Sequence, residues 1–428
     1  MRRGAMNREA LKRIIFDQHE VIRNAQVVPR RYSLDPQANY VITGLRRAGK
    51  STLLYGVAQG LVESGVAWER IIYVNFEDER LVGFTSDDFQ DILLAQSELS
   101  DEQGYYFFDE IQIVANWEKF ARRLADAGER VYITGSSATM LGRQVSSTLG
   151  GRYFTLHVTP YRFDEYLDAR GQAHEGSALY ATRDVGRISR HFDVFYQQGG
   201  FPESLHYASP REYVENVYQK VLLGDIAARY NVRNVDALRV LMKKVAETVR
   251  TDVSFSTLHN ALKGIGYGIS KDTVISYVGY AREAYLLFGI TNANAKFVER
   301  EGSPKYYFSD NGLLNLFLFD RETALLENEI AVALYDRFGE GLHYAKSSRT
   351  GVDVDFYVPE AGLAVQVAYS IAGEAREREV GNLIRLARAD DAIKRLVIVT
   401  KEEEEVLEQD GVRVKVVPAW RFLLGEHA

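Results

Sequence analysis

Cysteine is absent from all 428 residues. That excludes a disulfide framework and any thiolate metal site, and it suits a reducing compartment. No apolar run reaches the roughly 18 residues that a membrane helix needs, and the N-terminus lacks an uninterrupted apolar signal core, so the expectation is a cytoplasmic protein. A formal charge of −7 argues against a chain that coats nucleic acid by bulk electrostatics and leaves only local basic patches for that purpose. One such stretch runs from Met1 to Arg31, where Arg2, Arg3, Arg8, Lys12, Arg13, Arg23, Arg30 and Arg31 outweigh Glu9, Asp17 and Glu20. Spread around a helix, these charges read as a solvated arm packed on a core. No internal repeat is present, and the single low-complexity piece, Glu402 to Glu405, reads as a solvated helix start. What remains is ordinary globular composition, 46% hydrophobic and 26% charged, in a length that suits two or three domains.

Against that background one segment stands out. Tyr40 to Leu54 is an apolar strand running into Gly44-Leu45-Arg46-Arg47-Ala48-Gly49-Lys50-Ser51-Thr52 and then an amphipathic helix. The glycines let the backbone turn its N–H groups inward, Lys50 reaches β- and γ-phosphates, and the Ser51 hydroxyl suits Mg²⁺. The helix points its positive end at the same anion. Such a cradle takes ATP or GTP equally.

A second apolar run, Tyr105 to Phe108, ends in Asp109 and Glu110. The spacing predicts a buried parallel strand with Asp109 holding Mg²⁺ through water and Glu110 orienting the attacking water. The next strand, Arg130 to Thr134, leads into Gly135-Ser136-Ser137, where Ser136 or Ser137 reads as a polar sensor of the γ-phosphate. Arg152, just before a strand at 153–158, is a candidate for stabilising transition-state charge, in its own subunit or across an interface. Glu77 and Asp78 also fall at a strand end and read as exposed turn carboxylates.

Strand-like runs at 40–43, 71–76, 105–109, 130–135 and 153–158 alternate with helical patterns, the signature of a parallel sheet whose ligand sits at the carboxyl ends of its strands. After Pro160 helices dominate. Those at 236–249, 255–264 and 271–287, followed by an extended wing through Lys305–Phe308, resemble a winged helix-turn-helix. Ser270 caps the last helix, and Lys271, Thr273, Ser276 and Tyr277 lie near its start, the part that meets bases in a DNA-binding version. From about 319 to 428 helix and strand mix again.

GLRRAGKST (44–52), FFDEIQ (107–112), ITGSSATML (133–141), GGR (150–152), PYRFDEYL (160–167), GGFPE (199–203), PKYYFSDNGL (304–313), LEN (326–328) and VDFYV (354–358) together make the chain resemble a family of prokaryotic AAA-type P-loop ATPases over nearly its whole length. The resemblance implies an α/β fold: an N-terminal helical arm (1–32), a parallel-sheet P-loop domain (33–205), an α-helical winged-helix region (206–318) and a small α/β domain (319–428) like the PD-(D/E)xK nucleases. It implies ATP with Mg²⁺ as ligands. Glu327 and Asp355 match the first two nuclease acids, whereas Gln366 and Ala368 replace the acid-x-lysine pair, so metal binding is expected to weaken; a lysine from elsewhere, such as Lys346, is what would compensate. The implied function is a Mg²⁺-dependent ATPase coupled to the C-terminal modules. The alternatives are an ATP-switched regulator that binds DNA or protein with slow turnover and a metal-dependent nuclease.

Overall fold

The computed structural model describes residues 8–135, 147–319, 322–409 and 411–425. Contacts divide the chain into two compact units, Met1–Thr159 and Pro160–Ala428.

The first unit opens with α1 (Arg8–Asn24), whose Leu11, Ile14, Ile15, His19 and Ile22 recur at helical spacing and are buried. There follow β1 (Asn39–Thr43), α2 (Lys50–Glu63), β2 (Ile71–Asn75), α3 (Phe89–Leu99), β3 (Tyr105–Asp109), α4 (Trp117–Asp126), β4 (Arg130–Gly135) and β5 (Tyr153–His157). The strands form one parallel sheet in the order β2-β3-β4-β1-β5. The apolar runs of β1, β3 and β4 follow from burial on both faces. Edge strand β2 is buried as well, because α1 lies along it and His19 Nε2 hydrogen-bonds the Ile71 carbonyl at 2.7 Å. The basic side chains of α1 meet acids: Lys12 Nζ lies 2.5 Å from Glu9 and 3.0 Å from Glu98. Phe107 stacks on Tyr132 and Phe89 on Phe120, with ring centroids 4.9 and 4.3 Å apart; burying each such ring contributes roughly 1.5–3 kcal/mol. The register pairs Thr43 with both Gly135 and His157, and Asn75 with Asp109, so the carboxyl ends of all five strands line one edge.

The second unit begins with α5 (Phe163–Ala169), α6 (Thr182–Gln198) and α7 (Pro210–Lys220), the last running on as a π-helical stretch to Ala228. Next come α8 (Val235–Glu247), α9 (Phe255–Gly264), α10 (Lys271–Glu283), β6 (Leu287–Asn292), α11 (Phe297–Gly302), β7 (Lys305–Phe308), α12 (Asn311–Leu314) and α13 (Glu322–Phe338). Strands β8 (His343–Ser347), β9 (Val352–Val358) and β10 (Leu363–Val367) precede α14 (Glu374–Ala389), followed by β11 (Arg395–Thr400), β12 (Glu405–Gln409), β13 (Val412–Pro418) and α15 (Ala419–Leu423). These eight strands form a mixed sheet, β12-β13-β11-β10-β9-β8-β6-β7. Strand β6 pairs with β7 antiparallel and with β8 parallel, which hydrogen-bonds the hairpin after α10 into the C-terminal sheet.

Two sequence expectations are corrected here. Glu402–Glu405 is not a helix start but a turn into edge strand β12, because pairing Leu407 opposite Val414 joins that side chain to the core while Glu403 accepts from the Ser370 hydroxyl and the Ile371 N–H. Tyr277 is a core residue of α10, 5% exposed, so it is not a base-reading group. Ser270 does cap that helix, accepting from Thr273 N–H at 3.1 Å.

Several motifs of the second unit lock its backbone. Asp310 accepts from the N–H groups of Gly200 (2.7 Å) and Gly312 (2.8 Å). Gly199, at φ +77°, must be glycine, since a Cβ there would sit 2.1 Å from Asp310 Oδ1. The Asn328 amide pairs with both backbone groups of Phe308, and Asn311 donates to the Tyr196 and Leu325 carbonyls. Burial pushes Asp310 up to about 6 against the pull of its backbone donors, and burial together with Asp310's charge pushes Glu329 up to about 8.

Candidate functional site

The loop from Gly44 to Gly49 leaves β1 at the carboxyl edge of the first sheet and opens α2. Two positions show why it takes this path: a Cβ at Gly44 would fall 2.1 Å from the Val158 carbonyl, and Gly49, at φ +96°, turns the chain into the helix with its N–H groups unspent on side-chain caps. Arg47 also adopts positive φ (65°). The loop is braced from outside by Arg30, which donates to the Ala48 carbonyl at 3.1 Å and to the Thr159 carbonyl at 2.7 Å. Lys50 is buried and donates to the Gly44 and Leu45 carbonyls at 3.1 and 3.0 Å. Burial and the Lys50 charge push nearby His157 down to about 4, so it is neutral at pH 7.

Asp109 ends β3, and β4 lies between that strand and β1. Its carboxylate is buried and held by hydroxyl groups: Tyr73 donates to Oδ2 at 2.8 Å and Thr134 donates to Oδ1. Burial raises its pKa, while those hydrogen bonds from Thr134 and Tyr73 oppose the rise. Thr134 does more than this, since its Oγ1 also accepts the Glu110 N–H at 3.1 Å and so ties the two acids together. Glu110 has left-handed φ (53°), turns the chain sharply after β3, and accepts from Gln112. The structure therefore gathers Gly44 through Ser51, Asp109 and Glu110 at one edge of one sheet. Thr52 follows in the first turn of α2, half-buried.

Other expected residues fall elsewhere. Ser136 and Ser137 lie outside the described residues. Arg152 sits just before β5, whose first residue pairs with the first residue of β1, and it donates to Asp126 at the end of α4. That is the amino edge of the sheet, some five residues of strand or about 16 Å from the phosphate loop, so Arg152 is not brought to the loop of its own chain. Asp78 caps the turn at 79–81 and pairs with Arg80, while Glu77 lies 3.8 Å from Arg46. Tyr73 and Thr134 were missed in the sequence. Thr134 was visible as the hydroxyl one position inside a strand end, but serines just beyond it drew the reading away; Tyr73 looked like one more aromatic in a buried strand.

In the second unit, Glu327 on α13, Asp355 on β9 and Gln366 on β10 do come together. The two acids meet around Lys305 of β7, whose Nζ is 3.2 Å from Asp355 Oδ1 and 3.7 Å from Glu327 Oε1, while Gln366 accepts the Asp355 N–H at 2.7 Å. Lys346 is not the compensating lysine, because it is half-exposed and pairs with Asp252 at 2.6 Å. Among the described residues no group of three or more histidine, aspartate or glutamate side chains is arranged to hold a metal ion. No helix among them is long and apolar enough to cross a membrane.

A glycine loop opening a helix, with a buried carboxylate one strand removed across a parallel sheet, defines the P-loop class of nucleotide-binding fold. Residues 37–167 match the family model described as an AAA domain, and residues 189–323 match one described as a domain of unknown function (DUF8612). Over 96% of this chain and 94% of the other, the sequence is 28% identical to an uncharacterised protein of Methanocaldococcus jannaschii. An uncharacterised protein of Haemophilus influenzae is 29% identical over 89% of this chain and 93% of its own length. Among solved structures, the Walker-type ATPase of Pyrococcus abyssi aligns with 74% of this chain and 97% of its own at 14% identity and a TM-score of 0.39.

Proposed function

We propose that the chain is a Mg²⁺-dependent ATPase in which nucleotide state is coupled to the helical and C-terminal modules. The observation that carries this reading is the placement of the Lys50 loop after β1 and of the buried Asp109 at the end of β3 on the carboxyl edge of one parallel sheet, with Thr134 bonded to both Asp109 and Glu110. The AAA-domain match over 37–167 supports adenine as the base.

The residues fit magnesium by their chemistry: a hydroxyl and a carboxylate, both hard oxygen donors, the carboxylate buried and raised toward neutrality by the cost of its charge, which a cation would repay. Ser51 and Asp109 would hold the ion, which when bound neutralises charge on the β- and γ-phosphates. The N–H groups of residues 45–50 and the amino end of α2 bind the phosphates. Lys50 exchanges its bonds to the Gly44 and Leu45 carbonyls for phosphate oxygens. Glu110, fixed through its backbone by Thr134, orients the attacking water and takes its proton. Thr134 and Tyr73 keep the Asp109 carboxylate in place.

ATP turnover measured on wild type, Lys50→Ala and Glu110→Gln tests this directly. Loss of binding in the first variant, and retained binding with little turnover in the second, is expected; equal hydrolysis by wild type and Glu110→Gln would refute the assignment. One observation favours the regulator variant of the reading, namely that α11, between β6 and β7, leaves Phe297 and Val298 70% and 83% exposed beside Lys296. On that variant DNA or a protein partner docks there, and turnover should change when DNA is added.

A further inference from the structure

We infer that the acidic pair of the C-terminal sheet is occupied by the chain's own cation: the ammonium of Lys305 stands between Glu327 and Asp355 where a nuclease of this shape would place a divalent metal, so this unit is a metal-independent scaffold and does not cleave phosphodiesters.

The donor set leaves nothing for a metal. Glu327 Oε1 accepts from the Tyr307 hydroxyl at 2.8 Å and faces Lys305, and its Oε2 faces Arg250 Nε at 3.5 Å. Asp355 Oδ1 accepts from Lys305 Nζ at 3.2 Å, and its Oδ2 accepts from Val367 N–H at 3.0 Å. Three of the four carboxylate oxygens therefore accept a hydrogen bond from the protein, and the fourth faces the Arg250 guanidinium. The third position of a metal site is closed too. Gln366, buried on β10, turns its amide oxygen onto the Asp355 N–H at 2.7 Å, and its amide nitrogen donates to the Asp353 carbonyl and to Glu379. Glu379 is already engaged by Arg378.

Charge accounting agrees with geometry. Three cations, Lys305, Arg250 and Arg378, stand among the acids Glu327, Asp355, Glu379 and Asp353 and offset most of their charge. Lys305 is 3% exposed; burial alone would lower its pKa, but the charges of Asp355 and Glu327 outweigh that and raise it, so the ammonium keeps its proton throughout the physiological range. A divalent ion would have to displace that ammonium and leave it buried without a counter-charge, which is costly. The lysine a nuclease uses to support its nucleophile is here spent on its own carboxylates. It arrives from β7, far in sequence from the strand where the nuclease pattern places it.

The test is Mn²⁺ binding by the full chain without nucleotide, in an Asp109→Asn background that removes the other candidate divalent site. With Lys305 intact, no Mn²⁺ uptake that depends on Asp355 is expected up to millimolar concentration; uptake abolished by Asp355→Asn would overturn the inference. Lys305→Met, which frees two carboxylates, should gain Mn²⁺ affinity at least tenfold, and Mn²⁺ should raise its melting temperature but not that of the lysine-intact chain. An unchanged affinity in a folded Lys305→Met protein would also overturn it. The first arm needs no change at the lysine, so the inference remains open to refutation should Lys305→Met fail to fold. Neither arm involves ATP, which separates the outcome from that of the proposed ATPase.

Discussion

Each unit buries a lysine and acidic side chains near the end of a strand, and the two arrangements differ in what answers the charge. In the first unit Asp109 is held by the hydroxyls of Thr134 and Tyr73, and Lys50 donates to loop carbonyls. Neutral dipoles help to fix these groups in place. In the second, Lys305 lies directly on Asp355 and Glu327 and offsets their charge. Hydroxyl-held charge remains available to a ligand, at a cost in stability; ion-paired charge is structural and closed. The same residue types thus make a site in one sheet and a brace in the other.

The largest expected effects lie in turnover. Glu110→Gln should lower ATP hydrolysis by about 10²–10⁴-fold with binding retained, the range for removing a positioned general base. The comparison is sharpened by stability: Lys305→Met should destabilise the chain by about 3–5 kcal/mol, because it leaves the buried Glu327 and the partly buried Asp355 without that cation. Asp109→Asn should do the opposite, raising the ligand-free melting temperature by a few degrees while abolishing turnover, since it removes a buried, poorly solvated charge. Urea and thermal melts decide both, and a stabilising Lys305→Met would break the comparison. Thr134→Val should cost roughly tenfold in turnover, the equivalent of about 1.4 kcal/mol, with nucleotide affinity nearly unchanged.

The smallest effect is a pH dependence. Glu329 and Asp310 are buried acids that face one another, with folded pKa values raised to about 8 and about 6. Between the unfolded and folded values the folded state binds more protons, so their contribution is fully present below about pH 4 and is lost as pH rises through 6 and then 8. Melting temperature should therefore fall from pH 5 to pH 8.5, and Glu329→Gln should flatten that slope by a few degrees. An identical slope in the variant would remove Glu329 from the account.

The parallel sheet was legible because its strands are buried on both faces and carry unbroken apolar runs, and the phosphate loop because glycine, lysine and serine at fixed offsets have few other uses. Asp109 and Glu110 were legible from their place at a strand end. What escaped depends on contacts between distant segments. Tyr73 and Thr134 act only because β2 and β4 flank β3, a strand order that local pattern does not encode. Lys305 lies within the PKYYFSDNGL motif, yet its partners are 22 and 50 residues onward, at Glu327 and Asp355. Gln366 departs from the acid of a metal site, and only the structure shows its amide bonded to the Asp355 N–H and to Glu379. The GGFPE and SDNGL motifs carry no chemistry of their own, and Gly199, Gly200 and Asp310 explain them as a backbone lock.

The account turns on the availability of the Lys50 loop to a triphosphate. Calorimetric titration of ATP with Mg²⁺ into folded wild type, Lys50→Ala and Glu110→Gln should find one site per chain in the wild type and in Glu110→Gln, and a loss of at least a hundredfold in affinity in Lys50→Ala. Absence of any nucleotide uptake by the folded wild type, or uptake undiminished in Lys50→Ala, would contradict it.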